Sequence, residues 1–496
     1  MKRILTLFVA LAFVLGAAQA QTLTVGQGEP VTLDPHGQND QPSARVRVQI
    51  YETLVEQTPD LDLVPWLAES WEQVDDLTWH FHIREGVTFH NGDPLTAHDV
   101  VYSFERLRSP EQASPSAFIV GFLDTIEAID DMTVEMTTKY IFAPLLAHLS
   151  HNATSIVNQR VVEEAGPDFG TTVVVGTGAF RFVSWETGSQ LVIERNPDWW
   201  NGQAGVERVV FRPIPDSTVL SIELETGGVD VAYDVNPQDI SRLEDHPSVE
   251  LLEYQDLGTT YVGFNADRAP FDDVRVRQAI NHAIDIETIV DVIWEGQAVR
   301  AASPLSPNVF ASHPGVEPYA YDPERARQLL ADAGYPDGFE TSIWTNDNPL
   351  RIQVAEIAQA QLGEIGVTVD IRVLEWGTYL AETAAGNHDM FILGWSTVTA
   401  DADYGLYALF HSSEIGASNR TYWSDARVDE LLDRGRQTVD PDDRTAIYYE
   451  AQEIIAEEAP WIFVAFQTRH TGVRAHVENF QNQPNGTHRL YMVSRN

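Results

Sequence analysis

The residues best suited to binding a small ligand lie just after an apolar run at positions 390–393. One large aromatic, three hydroxyl residues and two carboxylates follow that run: Trp395, Ser396, Thr397, Thr399, Asp401 and Asp403. An indole ring supplies apolar area and a π face, and carboxylates are strong acceptors for cationic groups. The pattern therefore predicts a pocket for a small cationic or zwitterionic ligand.

A strand and a helix would position these residues. The apolar run predicts a strand that ends at Gly394, and Tyr404, Tyr407 and Phe410 follow at the threefold spacing of a helix. Two interpretations stay open for this stretch. Either Trp395 and the acids face a ligand, or Trp395 belongs to the core and the two aspartates cap the helix.

The sequence carries no recognisable catalytic centre. Asp401 and Asp403 could be imagined as the carboxylate pair of a secreted hydrolase, but nothing distinguishes them from ordinary capping acids. There is no G-x-S-x-G motif and no cysteine nucleophile. His80 and His82 merely share one strand face. We predict a protein that is not an enzyme, with no catalytic residue, no metal ligand and no cofactor.

The first 20 residues have the features of a secretory signal peptide. Lys2 and Arg3 precede a nearly continuous apolar run, and Ala18-Gln19-Ala20 fits a cleavage site before Gln21. No later stretch is long and apolar enough for a membrane span. Without any cysteine there is no lipid-attachment site. We therefore expect a protein that is free in the periplasm and not lipid-anchored.

The charge balance is strongly acidic, with a formal net charge of −43. Such a surface repels nucleic acid and anionic lipid, so no nucleic-acid partner is expected. A solvated acidic surface also suits salty surroundings, where screening weakens self-repulsion. We therefore expect a halophilic acidic surface. We also expect the protein to be a monomer.

Helix starts and one βαβ unit can be placed from local signals. Thr96 and Asp99 have the spacing of a capping box, and Asp322, Asp425 and Asp440 stand where helices should begin. A strand at 340–345, a helical pattern through 354–365 and a strand at 366–371 form one βαβ unit.

Two longer motifs resemble a known family. Residues 68–71 read AESW, and residues 79–100 read WHFHIREGVTFHNGDPLTAHDV. This order resembles the signature of the oligopeptide/dipeptide/nickel family of extracellular solute-binding proteins, which serve ABC importers. The likeness continues through 175–182, 195–200 and 261–265.

The resemblance implies a fold and a role. It implies an α/β, two-lobed periplasmic-binding-protein fold with an extra small α/β subdomain and a hinged ligand cleft. Lobe I would comprise 21–55 with 170–268 and 470–496, the small subdomain 56–169, and lobe II 269–469. The partners would be a solute and the membrane permease subunits of an ABC importer.

Within this family the stretch after position 393 is most similar to the glutathione-binding subgroup. The matching residues are Gly394-Trp395-Ser396-Thr397, Asp401-x-Asp403-Tyr404 and Leu409-Phe410. Dipeptide-binding members place an aspartate for the ligand amine where this chain has Val398. The resemblance implies a short peptide, glutathione-like or di- to oligopeptide. A nickel–metallophore complex, a sugar or an opine stays open as an alternative solute.

Two further positions complete the predicted site. A ligand that carries a carboxylate needs a guanidinium in so acidic a protein, and Arg351, after Asn348-Pro349, is the candidate for a bidentate clamp. Its alternative is a solvated arginine at a helix start. Trp344 and Trp376 are candidates for the pocket wall, although both also fit a core position.

Overall fold

The structure is a computed structural model that describes residues 22–496. The predicted signal peptide and its cleavage site lie outside the described residues. Within residues 22–496, no helix has the length and apolar character needed to cross a membrane.

The described chain contains the following strands: β1 (Thr22–Gln27), β2 (Val55–Gln57), β3 (Leu63–Pro65), β4 (Ala68–Gln73), β5 (Thr78–Ile83), β6 (Leu123–Asp130), β7 (Thr133–Thr138), β8 (Phe180–Glu186), β9 (Gln190–Arg195), β10 (Arg208–Pro213), β11 (Val231–Ala232), β12 (Val249–Gln255), β13 (Gly258–Phe264), β14 (Ala298–Arg300), β15 (Glu340–Asn346), β16 (Thr368–Leu374), β17 (Met390–Ser396), β18 (Trp461–Arg474), β19 (Val477–Glu478) and β20 (Ser494–Arg495).

Its α-helices are α1 (Gln41–Ile50), α2 (Ala97–Arg108), α3 (Leu145–Leu149), α4 (Gln159–Ala165), α5 (Ser217–Thr226), α6 (Ile240–Glu244), α7 (Val274–Ala283), α8 (Ile286–Trp294), α9 (Pro323–Asp332), α10 (Pro349–Glu364), α11 (Trp376–Ala384), α12 (Ala402–Phe410), α13 (Ala426–Gln437) and α14 (Pro441–Glu458).

The predicted helix starts are confirmed. Thr96 and Asp99 form the capping box of α2. Asp322, Asp425 and Asp440 cap α9, α13 and α14, and each accepts a hydrogen bond from a backbone N–H of the first turn. These carboxylates satisfy N–H groups that have no partner within the helix.

One twelve-stranded sheet organises the two lobes. Its order is β16-β15-β17-β13-β18-β11-β1-β10-β9-β8, with β12 and β14 also paired to β18. Strands β15 and β16 are parallel and are joined by α10, which is the predicted βαβ unit. Strands β1 and β8–β12 belong to lobe I, and β13–β17 belong to lobe II.

Strand β18 runs through both lobes. Its first part pairs with β13 and β14 of lobe II up to Gln467, and its second part pairs with β12 of lobe I from Thr468. The chain also passes between the lobes at Asp256 and Leu257, which connect β12 to β13. These two crossings form the hinge of the cleft.

Strand pairing crosses one of the predicted lobe boundaries. Lobe I was predicted to extend to residue 268, and β13, which lies within that range, pairs with β17 of the predicted lobe II. Strands β12 and β13 are adjacent in sequence, and only their pairing with strands that are distant in sequence assigns them to different lobes. The predicted change at 469/470 lies close to the point where β18 exchanges partners.

The small subdomain contains a separate sheet of order β4-β5-β7-β6. Helix α2 covers this sheet, and Phe81, Val100, Phe104 and Met136 are buried between them. Its core is continuous with apolar residues of lobe II. The Phe118 ring lies 5.7 Å from the ring of Tyr404 on α12, so the small subdomain packs against lobe II.

A buried carboxylate joins lobe I to the start of the small subdomain. Glu52 accepts indole N–H bonds from Trp66 (2.9 Å), Trp199 (3.0 Å) and Trp200 (3.1 Å). Burial raises the pKa of Glu52 to about 7, although the hydrogen bonds to its charged form act in the opposite direction.

This pKa predicts a pH-dependent term in stability. Between about pH 4.5 and 7 the folded state holds the Glu52 proton and the unfolded state does not. The contribution of Glu52 is therefore complete below pH 4.5 and lost as pH rises to 7. Relative to Glu52→Gln, the wild type should lose roughly 3 kcal/mol of unfolding free energy over that range. Urea unfolding of both proteins across this range measures it, and a pH-independent difference contradicts it.

Candidate ligand-binding site

A cavity of about 520 Å³ lies between the two lobes. Lobe I contributes the start of α1 and the segment after β11, and lobe II contributes the start of β13, the end of β17 and the starts of α10 and α11. The volume lies in the range of small-molecule sites. The polar atoms along its wall therefore decide which solute fits.

Trp395 and Ser396 line this cavity at the end of β17. Pairing with β13 fixes the backbone, with Thr259 opposite Trp395 and Gly258 opposite Ser396. Neither the Trp395 Nε1 nor the Ser396 Oγ has a hydrogen-bond partner among residues 22–496. The half-buried indole ring and these two unpartnered polar atoms fit a ligand that has both apolar and polar parts.

Tyr404 also lines the cavity and links the two sides of the cleft. Its ring lies 5.2 Å from that of Trp395. Its hydroxyl accepts a hydrogen bond from Asn39 Nδ2 of lobe I (3.0 Å) and lies 3.1 Å from Nε2 of His151 in the small subdomain. Tyr404 therefore connects lobe II to both other units.

Thr397 and Thr399 do not line the cavity. Thr397 is 1% exposed, and its backbone N–H donates to Leu257 of the hinge crossing (3.0 Å). Thr399 is also buried, and its Oγ1 accepts from the N–H of Asp401. Both residues shape the bend between β17 and α12, while the predicted role for both was ligand contact.

Asp401 is occupied by two structural tasks. It caps α12 by accepting from the Asp403 N–H (2.9 Å), and both of its oxygens accept from Arg444, at 2.8 Å each. The carboxylate does not line the cavity. Arg444 comes from α14, and the pairing joins two helices of lobe II.

Asp403 is fully buried and lies outside the cavity wall. Its oxygens accept from Arg436 Nε and Nη2, at 3.1 Å each, and His148 Nε2 of α3 lies 3.0 Å away. Burial alone would raise the pKa of Asp403, but the charge of Arg436 and the contact with His148 outweigh it and lower that pKa. Asp401 or Asp403 was predicted to bind the ligand amine, but both carboxylates are already paired with arginines of the protein.

Trp344 lies in the core and not on the cavity wall. It is buried, its Nε1 donates to Ser342 Oγ (3.0 Å), and the Arg372 guanidinium carbon lies 5.4 Å from its ring centroid. Trp376 has the opposite placement, since it lines the cavity and its side chain lies near the Asp40 carboxylate of lobe I.

Arg351 lies in the first turn of α10 and lines the cavity. Asn348 caps this turn by accepting the Arg351 N–H (3.1 Å), and Arg351 Nη1 donates to Asn346 Oδ1 (3.0 Å). The guanidinium carbon lies 5.6 Å from the Trp376 ring centroid. Burial lowers the pKa of Arg351, and no carboxylate of residues 22–496 forms an ion pair with it. This cation is therefore available to an acidic ligand.

Comparison with known proteins decides the family. Residues 62–417 match the family model described as bacterial extracellular solute-binding proteins, family 5. The chain is a family 5 solute-binding protein. The predicted family and the two-lobed fold are confirmed. The family consists of binding proteins that serve ABC importers.

Three similar proteins define its neighbourhood. Heme-binding protein A of Haemophilus influenzae is 34% identical, with 90% of this chain and 87% of that protein covered. Glutathione-binding protein GsiB of Pectobacterium atrosepticum is 31% identical, with 90% and 89% covered. The periplasmic binding protein DppA of Helicobacter pylori, solved with the peptide STSA, is 30% identical with a TM-score of 0.90, and 96% and 99% are covered.

Several cavity residues of this family 5 protein have no local sequence signal. Asp234, just after β11, accepts from Arg45 Nη1 (2.7 Å) and Arg469 Nη1 (2.6 Å), and Arg469 also pairs with Asp256. Burial would raise the pKa of Asp234, but the two arginines outweigh it and lower that pKa. Arg45, Asp234 and Arg469 lie far apart in sequence, so no spacing rule indicates that they pair.

Arg420 is a second arginine that the sequence did not reveal. It lines the cavity beside Leu380 and Ser418, and its Nη1 donates to Thr383 Oγ1 (3.0 Å). The run Ser418-Asn419-Arg420-Thr421 resembles any polar loop. Within residues 22–496 no cluster of three or more His, Cys, Asp or Glu side chains is arranged to hold a metal ion.

Proposed function

We propose that this family 5 protein captures a short peptide with a free carboxylate, glutathione-like or di- to oligopeptide, and delivers it to the permease of an ABC importer. The observation that carries the proposal is Arg351, a half-buried cation in the cleft with no ion-pair partner among the described carboxylates. The relative named for glutathione and the neighbour solved with a peptide support it.

The proposed binding mode uses a guanidinium without a counterion together with polar atoms that the protein leaves without a close hydrogen bond. Arg351 receives the ligand carboxylate, the Trp395 ring packs on the ligand body, and Ser396 Oγ bonds a peptide group. Tyr404 and Trp376 complete the aromatic wall. The ligand amine is assigned to Asp40 at the start of α1, because that residue is 5% exposed, lines the cavity and has no close hydrogen bond to its Oδ2. The nearby Arg47 and Trp376 side chains favour the charged form of this carboxylate.

The remaining predicted site residues are assigned a framework role. Thr397, Thr399, Asp401, Asp403 and Trp344 are engaged within the protein and hold the strand end and α12 in place. In the cell we propose that the mature protein is monomeric and free in the periplasm, and that its acidic surface suits salty surroundings.

Calorimetric titration tests the function directly. Glutathione and a panel of di- to tetrapeptides should bind, and the same peptides with amidated carboxyl termini should bind more weakly. Hemin belongs in the panel because one relative is named for heme. Binding of hemin or another non-peptide solute, with no peptide bound, would overturn the peptide assignment.

Trp395→Ala should weaken binding of the tightest peptide by about 2 kcal/mol, because the ligand loses apolar area against the indole. The fold should be retained, since Trp395 is only half-buried. Trp71→Ala is the matched control: Trp71 is also half-buried, but it lies on β4 of the small subdomain, away from the cavity. Equal affinity in the wild type and Trp395→Ala would remove Trp395 from the site.

A further inference from the structure

Four arginines line the cavity, and they fall into two classes. Arg45 and Arg469 share the carboxylate of Asp234. Arg351 and Arg420 form no ion pair with any carboxylate of residues 22–496, and burial lowers the pKa of both. A buried guanidinium without a counterion is costly unless a ligand supplies the charge.

The surroundings of Arg420 provide little compensation. Arg420 is 9% exposed, and the groups that favour its charged form are the phenols Tyr261, Tyr379 and Tyr422. Its Nη1 has a hydroxyl partner in Thr383. A guanidinium presents five N–H donors in a planar fork that matches a carboxylate.

The two arginines line the same cavity and lie near the same buried phenols. Both act on the same buried phenols, since Arg351 and Arg420 each oppose the rise in pKa that burial causes at Tyr261 and Tyr379. Leu380 and Leu393 also line the cavity. Leu380 follows Tyr379 on α11, and Leu393 pairs with Tyr261 between β17 and β13.

The acids that line the cavity have other positions or partners. Glu29 accepts from Trp185 and Gly188, Asp234 is shared by two arginines, and Glu375 caps α11.

Asp40 caps α1. Asp347 is exposed and accepts from Asn346. None of them forms an ion pair with Arg420, so the missing negative charge has to come from the bound solute.

We infer that Arg420 forms a second acid-binding subsite, so that the preferred peptide carries two acidic groups, one for Arg351 and one for Arg420. This inference rests on the proposed peptide-binding function and narrows it to dicarboxylate peptides. Peptides with a single terminal carboxylate would leave Arg420 without a counterion and should bind less tightly.

Matched peptide pairs test this subsite. The probes are three tripeptides of alanine with one Glu at the first, second or third position, each compared with the isosteric Gln peptide, together with glutathione. We expect the wild type to prefer at least one Glu peptide over its Gln counterpart by about thirty-fold or more. Arg420→Gln should abolish that preference by weakening the binding of the Glu peptide, and Arg420→Lys should keep part of it.

Arg427→Gln is the control, because Arg427 is an exposed arginine close in sequence that pairs with Asp425 outside the cavity. Equal affinity of the wild type for Glu and Gln peptides at all three positions overturns the inference while leaving the peptide function intact. Uniform weakening of all peptides in Arg420→Gln assigns Arg420 a structural role and also overturns it. Absence of binding by every peptide rejects the proposed function and the inference together. The comparison of Glu and Gln peptides uses the wild-type protein, so it tests the inference even if an Arg420 variant fails to fold.

Discussion

Replacing Asp403 by asparagine is expected to lower the free energy of unfolding by about 3–5 kcal/mol. The side chain is fully buried between Arg436 of α13 and His148 of α3. Neutralising it leaves the Arg436 guanidinium buried without its counterion, which costs more than the pair itself contributes. Urea unfolding followed by fluorescence gives the shift.

Two comparisons make that result specific. Asp60→Asn, at an exposed loop position, should leave the unfolding midpoint unchanged. Removing both charges in Asp403→Leu with Arg436→Met should recover much of the loss, because a buried pair is often replaceable by apolar residues. An Asp403→Asn protein with wild-type stability would contradict the ion-pair account.

Replacing Arg351 by methionine is expected to weaken peptide binding by 2–5 kcal/mol, a loss of about thirty-fold or more. The reason is that the ligand carboxylate would enter a half-buried site without a cation. The unliganded protein should be no less stable, since Arg351 forms no ion pair with residues 22–496 and its burial as a cation is unfavourable. Calorimetry measures the first effect, and thermal unfolding with and without peptide measures both.

The matched control is Arg325→Met. Arg325 lies in the first turn of α9, as Arg351 does in α10, but its side chain is exposed and outside the cavity. Unchanged peptide affinity in Arg351→Met would leave the carboxylate-binding role to another group. Equal losses in both variants would point to a general effect of net charge.

Local signals in the sequence were sufficient for the starts of α2, α9, α13 and α14, and they placed the end of β17 at Gly394, two residues before its observed end at Ser396. Capping by Asp322, Asp425 and Asp440 depends on N–H groups within the next few residues, so it can be predicted from spacing alone. The strand continues through Trp395 and Ser396 because both residues pair with β13, a partner that is distant in sequence.

The role of the two acids after Trp395 was not accessible to local reasoning. Asp401 and Asp403 have the types and order that a cationic ligand requires, but their partners Arg444 and Arg436 lie 43 and 33 positions further along the chain. Only the packing of α13 and α14 against α12 brings the charges together. The interpretation of these acids as helix caps, which the sequence left open, describes Asp401 correctly.

Arg420 illustrates the converse difficulty. The role that we propose for it depends on the lack of an ion-pair partner among the described residues, and a sequence cannot show that an arginine lacks a counterion. The same holds for Asp40, whose capping task is predictable but whose position on the cavity wall near Trp376 is visible only in three dimensions.

The continuity of β18 also determines how the cleft can open. The 14 residues of this strand pass from one lobe to the other within a hydrogen-bonded ladder, without an intervening loop. A β-strand twists readily about its own axis, whereas bending it within the sheet plane breaks ladder bonds. A rotation between the lobes that keeps this ladder intact therefore has to twist β18 and the neighbouring crossing at Asp256 and Leu257, and cannot bend the strand within the sheet plane.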